Sequence, residues 1–116
     1  MKKKLLFIGL TATLFLTSCS TPNALYSWEN YDDVSYIYLK NGDEKSTEQL
    51  IKTYQQLIKK QKGIRKTVPP GIYADYGFIL LQTGKVEDGK AMLEEEITLY
   101  PESKVFIDHI LNMFEK

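Results

Sequence analysis

Helix breakers divide this chain into pieces of helical length, and that division constrains its fold more than any other feature. Asn41-Gly42, Gly63, Pro69-Pro70-Gly71, Thr83-Gly84 and Pro101 fall between segments whose apolar residues recur three and four apart. Glycine tolerates the left-handed backbone of a helix end, and proline cannot donate the bond that would continue a helix. Trp28, Tyr31, Val34, Tyr36, Tyr38 and Leu39 partly fit helical spacing, so a first helix is expected from Trp28 to Leu39, although Val34 to Tyr38 also alternates as a strand would. Ser46 with Gln49 three residues on has the form of a capping box, and Leu50, Ile51, Tyr54, Leu57 and Ile58 follow on one face. This predicts a second helix from Ser46 to Lys62. A third is expected from near Pro70 to Thr83, with Tyr73, Tyr76, Gly77, Leu80 and Leu81 on its apolar stripe. Val86, Met92, Leu93, Ile97 and Tyr100 mark a fourth that closes at Pro101; Phe106, Ile110, Met113 and Phe114 mark a fifth from Ser103 to Phe114. Five helices with short connections predict an all-α domain over residues 25–116.

Residues 1–18 obey a different pattern. Lys2-Lys3-Lys4 precede an apolar run from Leu5 to Leu16, and Thr17-Ser18 are small. A basic head, a short apolar middle and small residues at the end describe a secretory signal peptide, too short to span a bilayer stably. Leu16-Thr17-Ser18-Cys19 resembles the lipobox of bacterial lipoproteins. That resemblance implies cleavage between Ser18 and Cys19, acylation of the Cys19 thiol and, with Ser20 rather than an aspartate next, residence at the outer membrane. Several acyl chains together anchor stably where one binds only marginally. Cys19 is the only cysteine, and the other readings of a lone exported thiol are a free cysteine or an intermolecular disulfide. Residues 19–24 are small and polar with a proline, and read as a tether between lipid and fold.

Three of the 15 basic residues lie in the leader while all 15 acidic ones follow it, so the mature part is acidic by three charges. Nucleic acid is therefore not an expected partner. One small domain remains, whose core must stand without a disulfide. The densest charge feature is Lys59-Lys60-Gln61-Lys62-Gly63-Ile64-Arg65-Lys66, with five cations in eight residues. Lys59, Lys60, Lys62, Arg65 and Lys66 either form a solvated helix end that complements the helix dipole or contact anionic lipid headgroups or an acidic partner.

Gly42 placed over Gly84, an offset of 42, also aligns Leu39 with Leu81, Leu50 with Met92, Ile51 with Leu93 and Leu57 with Leu99. The second copy resembles a tetratricopeptide repeat through Tyr73, Tyr76-Gly77, Leu80, Gly89, Leu93 and Pro101. Gly89 stands where that pattern has alanine, at a cost of about 1 kcal/mol in a helix interior. The expectation is a compact repeat-like helical domain.

Leu25-Tyr26-Ser27-Trp28-Glu29-Asn30-Tyr31, followed by Tyr36-Ile37-Tyr38-Leu39-Lys40, resembles the opening of an uncharacterised family of small Gram-negative lipoproteins with a Leu-Tyr-x-Trp-Gly-x-Tyr motif. Glu29 stands in place of the expected glycine. The resemblance implies an accessory role beside lipoproteins like the curli secretion channel, and supplies no catalytic residue. Trp28, Tyr31, Tyr36 and Tyr38 have two readings, as packing of the first helix onto Tyr54 and Leu57 or as exposed anchors for a partner protein.

Little in the chain suggests chemistry. His109 is the only histidine, expected as a partly packed side chain three residues after Phe106. No serine has a nucleophile-elbow setting, and no phosphate or calcium loop occurs. Asp32-Asp33, Glu87-Asp88 and Glu94-Glu95-Glu96 are expected in early helical turns or on solvated faces. No metal, cofactor or catalytic residue is expected. The function these features favour is a non-enzymatic, outer-membrane-anchored, periplasm-facing lipoprotein that binds a protein partner in an envelope assembly or secretion complex. The alternative is a peptidoglycan-binding or wall-modifying lipoprotein using a carboxylate pair.

Overall fold

Gly42 ends the first helix as its chemistry allows: it sits at φ 60°, and its N–H reaches back to the Tyr38 carbonyl at 2.8 Å. A computed structural model describes residues 24–116; the leader, the Ser18–Cys19 junction and most of the tether lie outside the described residues. The elements are α1 (Tyr31–Asn41), α2 (Glu44–Lys59), α3 (Ile72–Gln82), α4 (Val86–Leu99), a 3-10 turn (Pro101–Ser103) and α5 (Lys104–Glu115). No strand occurs among the described residues, so the fold is all-α, and Val34 to Tyr38 is helical despite its alternation.

Four helix boundaries differ from expectation. Trp28 lies outside α1, its carbonyl accepting the Tyr31 N–H at 3.0 Å. The start of α2 is set by Asp43, whose carboxylate accepts the Ser46 N–H at 2.8 Å, while the Ser46 hydroxyl donates back to the Asp43 carbonyl at 3.0 Å. The Ser46–Gln49 box is therefore not used, and α2 stops at Lys59 rather than Lys62. Gly71, at φ 93°, turns the chain immediately before α3 and leaves Pro70 outside the helix.

Helix α3 is the centre of the molecule. It buries seven of its 11 residues and contributes to both core clusters, one with Leu50, Tyr54 and Leu57 of α2, the other with Leu93 of α4 and Ile107 and Ile110 of α5. Its closest neighbour is α4. A Cβ on Gly77 would lie 2.8 Å from the Gly89 carbonyl oxygen and 2.9 Å from Leu93 Cγ; a Cβ on Gly89 would lie 2.8 Å from the Gly77 carbonyl oxygen and 2.9 Å from Leu81 Cγ. Gly77 facing Leu93 while Leu81 faces Gly89 makes the pair antiparallel. Gly89, a flaw by helix propensity, is the other half of a backbone-to-backbone crossing.

The 42-residue correspondence survives at its turns and fails in its burial. Gly42 and Gly84 are both left-handed, at φ 60° and 85°. Leu39, however, is exposed where Leu81 is buried, and Leu99 is exposed where Leu57 is buried, because α3 is covered by helices on both sides and α1 is not. On α5 the buried stripe is Ile107 and Ile110. Phe106 and Met113 point outward, and His109 is exposed rather than packed.

The segment before α1 is docked onto the loop between α2 and α3. Ile64 and Arg65 donate their N–H groups to the carbonyls of Ala24 and Leu25, at 3.0 and 3.1 Å. Gly63 makes room for this, since a Cβ there would fall 2.4 Å from the Leu25 carbonyl oxygen. Glu29 sits at φ 46°, the conformation a glycine adopts without strain.

Two outcomes check this packing by urea unfolding. Gly77→Ala and Gly89→Ala each destabilise the protein by about 1–3 kcal/mol through overpacking, against the gain of about 1 kcal/mol that alanine brings to a free helix. Glu29→Gly is neutral to about 1 kcal/mol stabilising, since relief of left-handed strain is offset by unfolded-state entropy.

Candidate functional site

Between α1, α2 and α3 the surface opens into a groove of about 440 Å³, with Tyr31, Tyr38 and Leu39 from α1 facing Asp75 and Phe78 from α3 across Tyr54 of α2. Two of its lining residues, Tyr31 and Tyr54, belong to a run of aromatic rings that continues beyond it. Trp28 lies 5.8 Å from Tyr31, Tyr31 5.9 Å from Tyr54, and Tyr54 5.5 Å from Tyr76, ring centre to ring centre. The hydroxyls are tied down as well: Tyr31 donates to Asp75 Oδ2 at 3.1 Å, and Gln55 Nε2 donates to the Tyr76 hydroxyl at 3.2 Å.

Burial governs the electrostatics here. The Asp75 carboxyl meets solvent on the groove side, yet the rings around it strip part of its hydration and hold its pKa above the usual carboxylate range, with the Tyr31 hydrogen bond opposing. Burial also raises Tyr31 and Tyr54, and the Asp75 charge adds to both shifts. No lysine or arginine among the described residues forms an ion pair with Asp75.

The four aromatic residues singled out from sequence divide by position. Tyr31 and Tyr38 are half-buried and line the groove, and the Tyr31 ring packs at a tilt against Tyr54 as the packing reading expects. Trp28 is 40% exposed and closes the head of the ring series. Tyr36 is 65% exposed and takes no part in it. The structure thus brings Tyr31 and Tyr38 to the groove, joins Trp28 to it only through the Tyr31 ring, and separates Tyr36.

Of the five cations, only Lys59 is in a helix end; Lys60, Lys62, Arg65 and Lys66 belong to the loop, because α2 stops early. Arg65 lies over the Tyr26 ring, 5.7 Å from its centre, and donates to the Tyr26 hydroxyl at 3.3 Å. Lys62 pairs with Glu29 at 3.4 Å. Both contacts hold the docked segment to the loop.

Glu96 departs most from expectation. Read in sequence as part of a solvated run, it is 3% exposed, and its Oε1 accepts the Gly71 N–H at 2.7 Å from the start of α3. Desolvation raises its pKa, with the N–H groups of Gly71, Ala74 and Tyr73 pulling the other way. The signal was present: Gly89, Leu93 and Glu96 are spaced four and three apart, which puts Glu96 on the buried stripe. Nearby, the Tyr100 hydroxyl donates to the Val68 carbonyl at 2.6 Å, and burial beside Tyr26 pushes its pKa up to about 12.

The described residues contain no group of three or more His, Cys, Asp or Glu side chains placed to hold a metal, and no helix long and apolar enough to cross a membrane. Ring faces, hydroxyls and one carboxylate suit the groove to gripping a side chain or a helix. The chain belongs to the family described as a domain of unknown function (DUF4810), whose model matches residues 25–110. No curated protein and no solved structure matches it. The matched stretch runs from the docked Leu25 to Ile110, the last buried residue of the core.

Glu96 yields a pH prediction. The folded state holds its proton more tightly than the unfolded chain does, so this contribution is complete below the unfolded-state pKa of about 4.3 and is lost as pH rises through the raised folded value. Glu96→Gln keeps an acceptor for Gly71 and removes that slope from the stability–pH curve. Glu96→Ala costs about 1–3 kcal/mol by orphaning the N–H groups it serves.

Proposed function

We propose that this protein is a lipoprotein of the bacterial cell envelope, anchored in the outer membrane through Cys19 and facing the periplasm, whose helical domain binds a partner protein without catalysing a reaction. The single observation that carries the binding reading is the aromatic groove between α1 and α3, in which half-buried tyrosines adjoin Leu39, a leucine left 79% exposed. A large apolar side chain at the rim of a groove is what a partner's apolar residues would cover.

The anchoring reading is supported by the Lys2-Lys3-Lys4 head, the apolar run to Leu16 and Cys19 after Ser18. With Ala24 docked, residues 19–23 span at most about 18 Å when extended, which keeps the domain against the membrane surface. A tetratricopeptide-like architecture is supported by the antiparallel α3–α4 pair, its Gly77–Gly89 crossing and Pro101 after α4. In such pairs the first helices line a concave face, and α1 and α3 are the helices that wall this groove. The resemblance to lipoproteins acting beside a curli-secretion-channel-like partner makes a component of that type the first candidate to test.

Two measurements test the proposal. Mass spectrometry of the membrane fraction is expected to find residue 19 acylated at the new N-terminus, and Cys19→Ala to leave the protein outside that fraction; an uncut leader or a bare thiol overturns the anchor. Leu39→Asp, on an exposed position, is expected to leave stability within about 0.5 kcal/mol while weakening binding of the protein partner identified by crosslinking from the Trp28–Tyr38 segment in intact cells roughly tenfold, a loss of about 1.4 kcal/mol. Equal capture by the variant overturns the groove as the binding surface.

A further inference from the structure

The loop between α2 and α3 carries more charge than its packing uses. Lys62 and Arg65 hold the docked N-terminal segment, whereas Lys59, Lys60 and Lys66 are exposed and form no ion pair among the described residues. Two hollows flank Lys62. One, of about 410 Å³, is lined by Tyr26, Ser27, Lys62, Gly63, Ile64 and Lys66; the other, of about 390 Å³, by Glu29, Gln56, Lys59, Lys60 and Lys62. Glu29 is the one acid lining either, and it is already shared with Lys62.

Apolar surface lies in the same place. Ile64 is 57% exposed and Leu25 53% exposed, and the backbone bonds from Ile64 to Ala24 and from Arg65 to Leu25 hold these two residues on neighbouring strands of chain. Trp28, 40% exposed, follows three residues after Leu25. Exposed Leu25 and Ile64, the lysines of the hollows beside them and an indole three residues along the chain from Leu25 have the composition of an interfacial membrane contact: apolar tips enter the headgroup boundary, an indole sits at that level, and cations meet the phosphates. Its position agrees. The chain leaves the domain at Ala24, and the segment between Ala24 and Cys19 is too short to hold this face far from the bilayer.

We propose that Leu25, Ile64 and the lysines Lys59, Lys60 and Lys66, at the end of α2 and in the α2–α3 loop, form a membrane-interface site that binds anionic phospholipid headgroups. The site rests on the reading of Cys19 as a lipid anchor and adds what the anchor lacks, a fixed orientation. With the loop against the bilayer, the domain's attitude is set by a second point of attachment, because one tether alone leaves it free to rotate. Each lysine near an anionic surface contributes roughly fivefold to association, and salt screens it.

Trp28 is the only tryptophan in the chain and so reports on this face. The full lipidated chain is reconstituted into vesicles of phosphatidylcholine, or of phosphatidylcholine with phosphatidylglycerol, each bearing brominated acyl chains. The expected result is Trp28 quenching at least threefold stronger with phosphatidylglycerol, reversed by salt, and lost in the Lys59→Gln, Lys60→Gln, Lys66→Gln triple variant. Ile64→Asn is expected to lower quenching in both vesicles, with unfolding curves confirming that each variant is folded. Quenching that is equal in the two vesicles, or unchanged in the triple variant, overturns the site. Reversal by inorganic phosphate at constant ionic strength overturns it too, by making the loop a site for the free ion. Failure of the wild-type chain to float with either vesicle is a different result: it removes the anchor on which the site depends.

Discussion

The crossing of Gly77 and Gly89 is the contact on which the rest of the molecule depends. It brings the backbones of α3 and α4 together at a distance that excludes any side chain between them. Leu81 and Leu93 then close over the crossing from either side, and Leu93 is buried with Ile107 and Ile110 of α5. On its other faces α3 packs against α2 through Tyr76, Ile79 and Leu80. A helix surrounded in this way must be apolar almost all round, and α3 is.

The exact placement of α3 matters for both candidate surfaces. Glu96, reaching from α4, accepts the Gly71 N–H and so ties the end of the long α2–α3 loop to the helix pair. Tyr100 does the same one helical turn later through the Val68 carbonyl. These two bonds locate the loop on which Lys60, Lys62 and Arg65 sit, while the first turn of α3 presents Asp75 to the groove beside Tyr31. One helix pair thus positions a groove and a basic, partly apolar loop that pairs with the backbone of Ala24 and Leu25. The proposed protein-binding groove and the proposed lipid-binding loop occupy different parts of the surface.

Much of the fold was legible because its signals are local. Gly42, Gly84 and Pro101 end or separate helices through their own backbone chemistry, and the spacing around Leu50, Tyr54 and Leu57 specifies the buried face of α2 without reference to anything else. Helix starts were less legible, because several residues compete for one cap. Asp43 outcompetes Ser46, and Gly71 outcompetes Pro70. The candidate site was only half legible: an aromatic-rich segment could be recognised, but the partition of Trp28, Tyr31, Tyr36 and Tyr38 between ring series and solvent depends on where α2 and α3 lie. Asp75 carried no distinguishing pattern at all.

The amino-acid order by itself determined that the chain is helical and where most of its helices stop, since both follow from residues close together along the chain. Tertiary structure alone decided that Gly89 is a contact rather than a defect, that Glu96 is a buried cap rather than a solvated charge, and that the backbone of Ala24 and Leu25 pairs with that of Ile64 and Arg65. Those outcomes belong to pairs of residues far apart in sequence. Packing, not local preference, sets the distance between them.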